Sequence, residues 1–285
     1  MSDELRNEVE KWLDDNWDSK NFCAVGEECY NQKSWLTKVV DAGFATPTWP
    51  GKWHGRGLSS KEARIIEKAF QARGAKGWGR DRFHLGAITV FKLGSDALKT
   101  ELLYELLTGP ICCLLYSEPG AGSDLAGIRM RAVRDGDEFV VNGQKVWTSN
   151  AEEAEYGMLL TRTDIDAPKH KGITFFIFPM KQDGVEVRPI NQITGESEFN
   201  EVFVTDARVP ERFIIGEYNQ GWKSFQTAIA SERLIMGQGI TARLGAAARG
   251  KAPALLRLAE KHDKLNDPVM RQEVAQALAY RQLNA

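Results

Sequence analysis

Ser117-Glu118-Pro119-Gly120-Ala121-Gly122-Ser123-Asp124 and, some two dozen residues later, Val146-Trp147-Thr148-Ser149 are the stretches on which the fold turns. The first packs two glycines, a proline and two hydroxyls into one short loop. Its backbone N–H groups can therefore approach a ligand with no side chain in the way, which suits phosphates and oxygen-rich ring edges. The second reads as the end of a strand. Trp147 adds a broad planar face, and Ser149, two residues on in a period-2 strand, points to the same side. A ring stack and a hydrogen bond can act together there. The competing reading is a surface turn leading into a sheet with one core tryptophan.

Working outward, Phe139-Val140-Val141, the pair Asn142-Gly143 and Lys145-Val146-Trp147 carry a hairpin signal. Strand patterns continue at Met158–Thr161, Ile173–Phe178, Val185–Ile190 and Glu201–Val204, with polar or Gly/Pro breaks between them. Upstream the period is helical. Leu5, Val9, Trp12 and Leu13 make one apolar stripe, and Trp35, Leu36, Val39 and Val40 another. Ser59 with Glu62 forms a capping box, Gly74 can close that helix, and a further helix carrying Leu98, Leu102, Leu103 and Leu106 stops at Gly109-Pro110. Helical period returns after Gly221, where Trp222, Phe225, Ile229, Glu232 and Met236 recur at steps of three and four. Asp267 as cap and Pro268 at the first position announce a last helix. The fold class expected is α+β: an N-terminal helical domain over 1–110, a middle antiparallel β-barrel domain over 111–218, and an incomplete helical bundle over 219–285.

Composition narrows the function. Lys+Arg 37 against Asp+Glu 39 leaves a net charge of -2, with no basic footprint for nucleic acid and no basic membrane patch. The acidic start Met1-Ser2-Asp3-Glu4-Leu5 lacks an apolar signal region, so the expectation is a cytoplasmic protein. Cys23, Cys29, Cys112 and Cys113 show no metal-binding spacing and read as reduced thiols, and the four histidines are scattered. Two motifs are set aside. Gly245–Ala252 nearly spells a phosphate-binding P-loop but ends in alanine and follows no strand. Trp49-Pro50-Gly51-Lys52-Trp53 is read as an interhelical loop packing on the core rather than a ligand-stacking surface.

From Leu114 to Arg233 the chain resembles the acyl-CoA dehydrogenase family of flavoenzymes. Three ordered motifs carry the resemblance: SEPGAGSDLAG at Ser117–Gly127, GDEFVVNGQKVWTS at Gly136–Ser149, and EFNEVFVTDARVP at Glu198–Pro210. Its flavour is nearest the actinobacterial type that takes bulky or steroid side-chain CoA esters. The resemblance implies FAD as cofactor and α,β-desaturation of an acyl-CoA thioester, in which a base takes the α-proton and the β-hydrogen leaves as hydride to flavin N5. It implies an electron-transferring flavoprotein as electron acceptor and an oligomeric assembly.

Carried over by position, Tyr116 and Ser117 would meet the flavin's pyrimidine edge, and Ser123 its phosphate or the substrate's pantetheine. Trp147 and Thr148 would lie against the isoalloxazine, and Ser149 would bond near N5. Many relatives have threonine where this chain has Ser117 and Ser149, so the hydroxyls persist without their methyl groups. Glu232 is the candidate base. On an apolar stripe its carboxylate is desolvated, which raises its pKa towards what a weak carbon acid requires. A structural ion pair is the alternative, and most relatives carry the base further towards the C-terminus. Arg233 resembles an arginine beside the family's substrate site. Ala230 stands where relatives often place a CoA-contacting aspartate, and His262–Asn266 lacks the family's Arg-x-x-Phe-Gly segment. Both departures point to weak cofactor and CoA binding by this chain alone.

The family plan ends in a four-helix bundle, of which about half is expected here. The chain is therefore read either as truncated or as relying on a dimer mate or partner to cover the remaining apolar face. Two rivals stay open: a non-catalytic or half-site subunit of a heteromeric dehydrogenase, and a flavin monooxygenase or oxidase on the same fold.

Overall fold

The computed structural model describes residues 2–18, 32–75, 77, 85–109, 112–233 and 254–283. It divides into two compact units, Met1–Ser231 and Glu232–Ala285. The first unit begins with helices α1 (Ser2–Asn16), α2 (Gln32–Asp41), α3 (Ser60–Arg73), α4 (Leu85–Leu93) and α5 (Asp96–Thr108). Their apolar stripes meet as their spacing requires: Val9 and Leu13, Trp35, Leu36, Val39 and Val40, and Ile66 and Phe70 are buried in one cluster. Trp12 packs edge-on against Phe44 with ring centroids 5.1 Å apart. Ser59 and Glu62 make the reciprocal capping box, and Gly74 closes α3 in the left-handed conformation at φ 67°. Trp49 lies flat on Phe91, centroids 3.9 Å apart, and Trp53 is buried, so the tryptophan-rich loop packs on the core as the sequence suggests.

Strands follow: β1 (Cys113–Leu115), β2 (Arg131–Asp135), β3 (Glu138–Ser149), β4 (Tyr156–Arg162), β5 (Ile173–Pro179), β6 (Val185–Ile190) and β7 (Phe199–Pro210). They form one sheet in the order β1-β4-β2-β3-β7-β6, with β5 also on β4. Most pairs are antiparallel, as expected, and β1–β4 and β2–β4 are parallel. The α+β class expected from the change of period is the one observed.

The expected hairpin turn at Asn142-Gly143 is not a turn. The reversal falls at Gly136-Asp137, where Asp135 pairs with Glu138, and β3 runs unbroken through Asn142-Gly143. Gly143 is there for close approach. Its φ is 149°, and a Cβ would lie 2.7 Å from Met130 Cγ and 2.9 Å from Met130 Cα. The ladder to β7 slips register at the same point, so glycine serves a bulge inside a long strand.

Cys112 and Cys113 are buried free thiols. Burial pushes both thiols up, Cys113 to about 12, so neither supplies a thiolate near neutrality. Cys23 and Cys29 lie outside the described residues, as do Met236 and Gly245–Ala252.

Helix α6 (221–233) starts against the sheet: a Cβ on Gly221 would sit 2.6 Å from the Phe175 backbone nitrogen of β5. The second unit contains helices α7 (Ala254–Lys261) and α8 (Pro268–Leu283). Asp267 caps α8, its Oδ1 accepting from the Val269 and Met270 backbone N–H groups at 2.9 and 3.2 Å. Among the described residues, no helix is long and apolar enough to cross a membrane.

Candidate functional site

The loop after β1 is closed by two backbone hydrogen bonds between Glu118 and Ala121, each 3.0 Å, around Pro119-Gly120. A Cβ on Gly120 or Gly122 would meet nothing within 4 Å, so the space beside these two glycines is open. The Val146 N–H donates to the Ser117 carbonyl at 2.9 Å, which ties the loop to the distal half of β3.

Beneath this loop lies a buried ion pair. Lys145 is fully buried, and its Nζ donates to Glu118 Oε1 at 2.9 Å and to the Tyr116 carbonyl at 3.0 Å. Glu118 also accepts from the Arg129 N–H at 2.7 Å and the Met130 N–H at 3.0 Å. The carboxylate is thus surrounded by donors, which a buried charge requires. Burial lowers the Lys145 pKa to about 8, with Glu118 pulling the other way. A cavity of about 370 Å³ opens beside the pair, lined by Pro119, Gly120, Arg129 and Gln144 among others.

Trp147 decides between the two readings of its stretch. It is not in the core. The β3–β7 ladder breaks between Lys145 and Thr148, and Trp147 takes φ 61° with 61% of its surface exposed. A bulky non-glycine residue at positive φ costs about 1–3 kcal/mol and persists where the surroundings over-determine it. The ring stands edge-on to Phe199, centroids 6.1 Å apart. Ser149 is exposed as well, with buried Thr148 between them, the alternation expected of a strand.

Between them, the Thr148 side chain is turned fully inward, and its Oγ1 has no hydrogen-bond partner among the described residues. The Thr148 carbonyl accepts from Asn200 Nδ2 at 3.0 Å. An exposed ring platform beside an open glycine loop fits a planar ligand.

The remaining predicted residues are divided between the two units. The Tyr116 ring packs edge-on against Phe225 of α6 at 4.9 Å. Ser123 is exposed, and the adjoining Asp124 pairs with Lys169 at 2.6 Å. Arg162 holds the two flanking loops together, donating to the Ala126 and Lys171 carbonyls at 2.7 Å each. Glu232 and Arg233 lie at the end of α6, as the first residues of the second unit. Glu232 is half-buried. Desolvation raises its pKa, and the neighbouring Arg233 guanidinium opposes the rise. The structure therefore gathers Tyr116, Ser117, Ser123, Trp147, Thr148 and Ser149 in one unit, with Glu232 and Arg233 belonging to the other.

Sequence reasoning missed Glu118, Lys145 and Arg162. For Lys145 a signal existed: it is in phase with the inward-facing Phe139 and Val141 on β3. A lysine on the buried phase of a strand calls for an acid, but its partner lies 27 residues away.

A family model described as the acyl-CoA dehydrogenase middle domain matches residues 113–207. The acyl-CoA dehydrogenase FadE34 of Mycobacterium tuberculosis is 40% identical over 208 residues, covering 70% of this chain and 28% of that protein. The acyl-CoA dehydrogenase IpdE1 of the same organism is 33% identical over 292 residues, covering 96% of this chain and 73% of the relative. Among solved structures, the Tcur3481-Tcur3483 steroid ACAD superposes with a TM-score of 0.71 at 30% identity, over 99% of this chain and 73% of that one. The ChsE4-ChsE5 complex from Mycobacterium tuberculosis gives 0.66 at 27%, over 99% and 73%.

Proposed function

This chain belongs to the acyl-CoA dehydrogenase family, and from that premise we propose that it contributes an FAD site to the α,β-dehydrogenation of an acyl-CoA thioester. The observation that carries the reading is Trp147, an exposed indole held at positive φ beside the open Ser117–Ser123 loop. A core tryptophan needs neither the exposure nor the strain.

When bound, FAD supplies the two-electron chemistry. The chain's own residues do the rest. Trp147 offers one face as a platform, Tyr116 and Ser117 offer backbone groups to the pyrimidine edge, and the Ser149 hydroxyl is exposed at the strand's end. Ser123 serves the phosphate or pantetheine side. Glu232 takes the α-proton, and desolvation suits it to do so because a raised pKa makes a carboxylate a stronger base. Arg233 lies beside the substrate, and electrons pass on to an electron-transferring flavoprotein.

The acyl group is proposed to be bulky, in keeping with the steroid ACAD among the structural relatives. A half-site role within a heteromer is the second reading. Favouring it, one similar structure is described as a two-component complex, and the departures at Ala230 and His262–Asn266 weaken a self-sufficient site.

The test is the visible spectrum and mass of the purified chain, alone and with FAD, followed by titration with bulky acyl-CoA esters. A bound-flavin spectrum bleached by an acyl-CoA supports the dehydrogenase. Flavin uptake only after a partner chain is added supports the half-site reading. No flavin uptake under either condition overturns both.

A further inference from the structure

We infer that Lys145 and Glu118 are positioning residues for the flavin, acting through the Tyr116–Ser117 peptide: the Lys145 ammonium polarises the Tyr116 carbonyl and so strengthens the Ser117 N–H as a donor. The inference rests on the proposed FAD site and deepens it.

The geometry is specific. Lys145 Nζ lies 3.0 Å from the Tyr116 carbonyl oxygen, and that carbonyl and the Ser117 N–H are two ends of one conjugated amide. A cation on the oxygen draws electron density through the C–N bond and leaves the N–H more positive, as in any chain of cooperating hydrogen bonds. Among the described residues no protein acceptor meets the Ser117 N–H. Glu118 makes the arrangement possible. It neutralises Lys145 in the interior at 2.9 Å, and through the Arg129 and Met130 amides it pins the loop's far end.

A purely structural pair would need only the contact between Lys145 and Glu118. The second contact of Lys145, to the backbone of Tyr116, is what a positioning role predicts. The consequence is a stronger, charge-assisted donor towards a flavin edge that gains negative charge on reduction, which favours the reduced state.

The test uses Glu118→Gln with Lys145→Gln. This pair removes both charges but keeps a donor for the Tyr116 carbonyl, so the fold and the hydrogen bond survive while the polarisation goes. Glu118→Gln with Lys145→Met serves as a second version should the first fail to fold.

In the ligand-free chain, the Ser117 amide proton resonance is expected to move upfield in the neutral variant and to stay near its wild-type position in Lys145→Arg. With FAD bound, the neutral variant is expected to show a more negative flavin midpoint potential and roughly tenfold weaker FAD binding, with Lys145→Arg again near wild type. An unchanged Ser117 resonance, or an unchanged potential in a variant that folds and binds FAD, overturns the inference and leaves the flavin site standing. A wild-type chain that takes up no FAD, with or without a partner, overturns the flavin reading and this inference with it.

Discussion

At the scale of single residues, the first unit holds a strained platform, and each unit holds one group whose ionisation burial has shifted. Glu232 carries a raised pKa because desolvation outweighs Arg233. As the proposed base it must be ionised, so the rate of flavin reduction by an acyl-CoA should rise with pH through that raised value. The stability consequence runs the other way. A folded carboxyl that holds its proton more tightly than the unfolded one contributes stability below its ordinary value near 4.5, and that contribution is lost as pH rises. Glu232→Gln should keep FAD and slow flavin reduction by about 10²–10⁴-fold in stopped-flow measurements; a reduction rate within a few-fold of wild type would remove Glu232 as the base.

Lys145 gives the opposite kind of prediction. Its folded value, about 8, lies below the ordinary 10.5. Between those values the unfolded chain binds more protons, so this residue's contribution to stability rises with pH from about 8 upward. Urea midpoints should therefore increase for wild type relative to Lys145→Met between pH 7.5 and 9.5. Parallel trends in the two proteins would show that the side chain does not titrate in this window. Trp147→Gly separates strain from function: glycine accepts φ 61° freely. The variant should melt at or above the wild-type temperature while binding FAD more weakly, whereas a large loss of stability would make Trp147 a packing residue.

At the scale of elements, β3 organises the site. Its inward phase carries Phe139, Val141 and Lys145, and its two irregularities place Gly143 against Met130 and turn Trp147 outward. Because Met130 donates to Glu118, the first irregularity is linked to the ion pair beneath the loop. Gly143→Ala should cost about 2–3 kcal/mol in denaturant unfolding and weaken FAD binding as well. A stability loss with wild-type FAD affinity would uncouple the bulge from the site. Helix α6 supplies the other frame. Gly221 lets it abut β5, Phe225 supports the Tyr116 ring, and Lys92 reaches Ser231 at 2.9 Å near its end.

At the scale of the whole molecule, much was legible in the sequence and some was hidden. Stripes at helical spacing, the Ser59 box, the Asp267 cap and the change to strand period followed from local chemistry, because caps and periodicity are set by residues a few positions apart. Family membership rested on loop residues whose spacing is a chemical requirement. Expected dependence on a partner belongs to this scale too. Co-expression with a family subunit should raise FAD occupancy and produce a larger assembly by mass photometry; full occupancy in the chain alone would exclude the half-site reading.

The sequence by itself determined most of the helices and strands, though not α4, β2 or α7, together with the caps at Ser59 and Asp267 and the motifs that mark the family. Tertiary structure alone decided that Asn142-Gly143 is a bulge and Gly136-Asp137 the turn, that Trp147 faces out at positive φ, and that Lys145 finds Glu118. The reason is physical. A cap or a stripe depends on neighbours within a turn or two of chain, whereas a bulge depends on a backbone it must approach, and a buried charge on an opposite charge brought from 27 residues away.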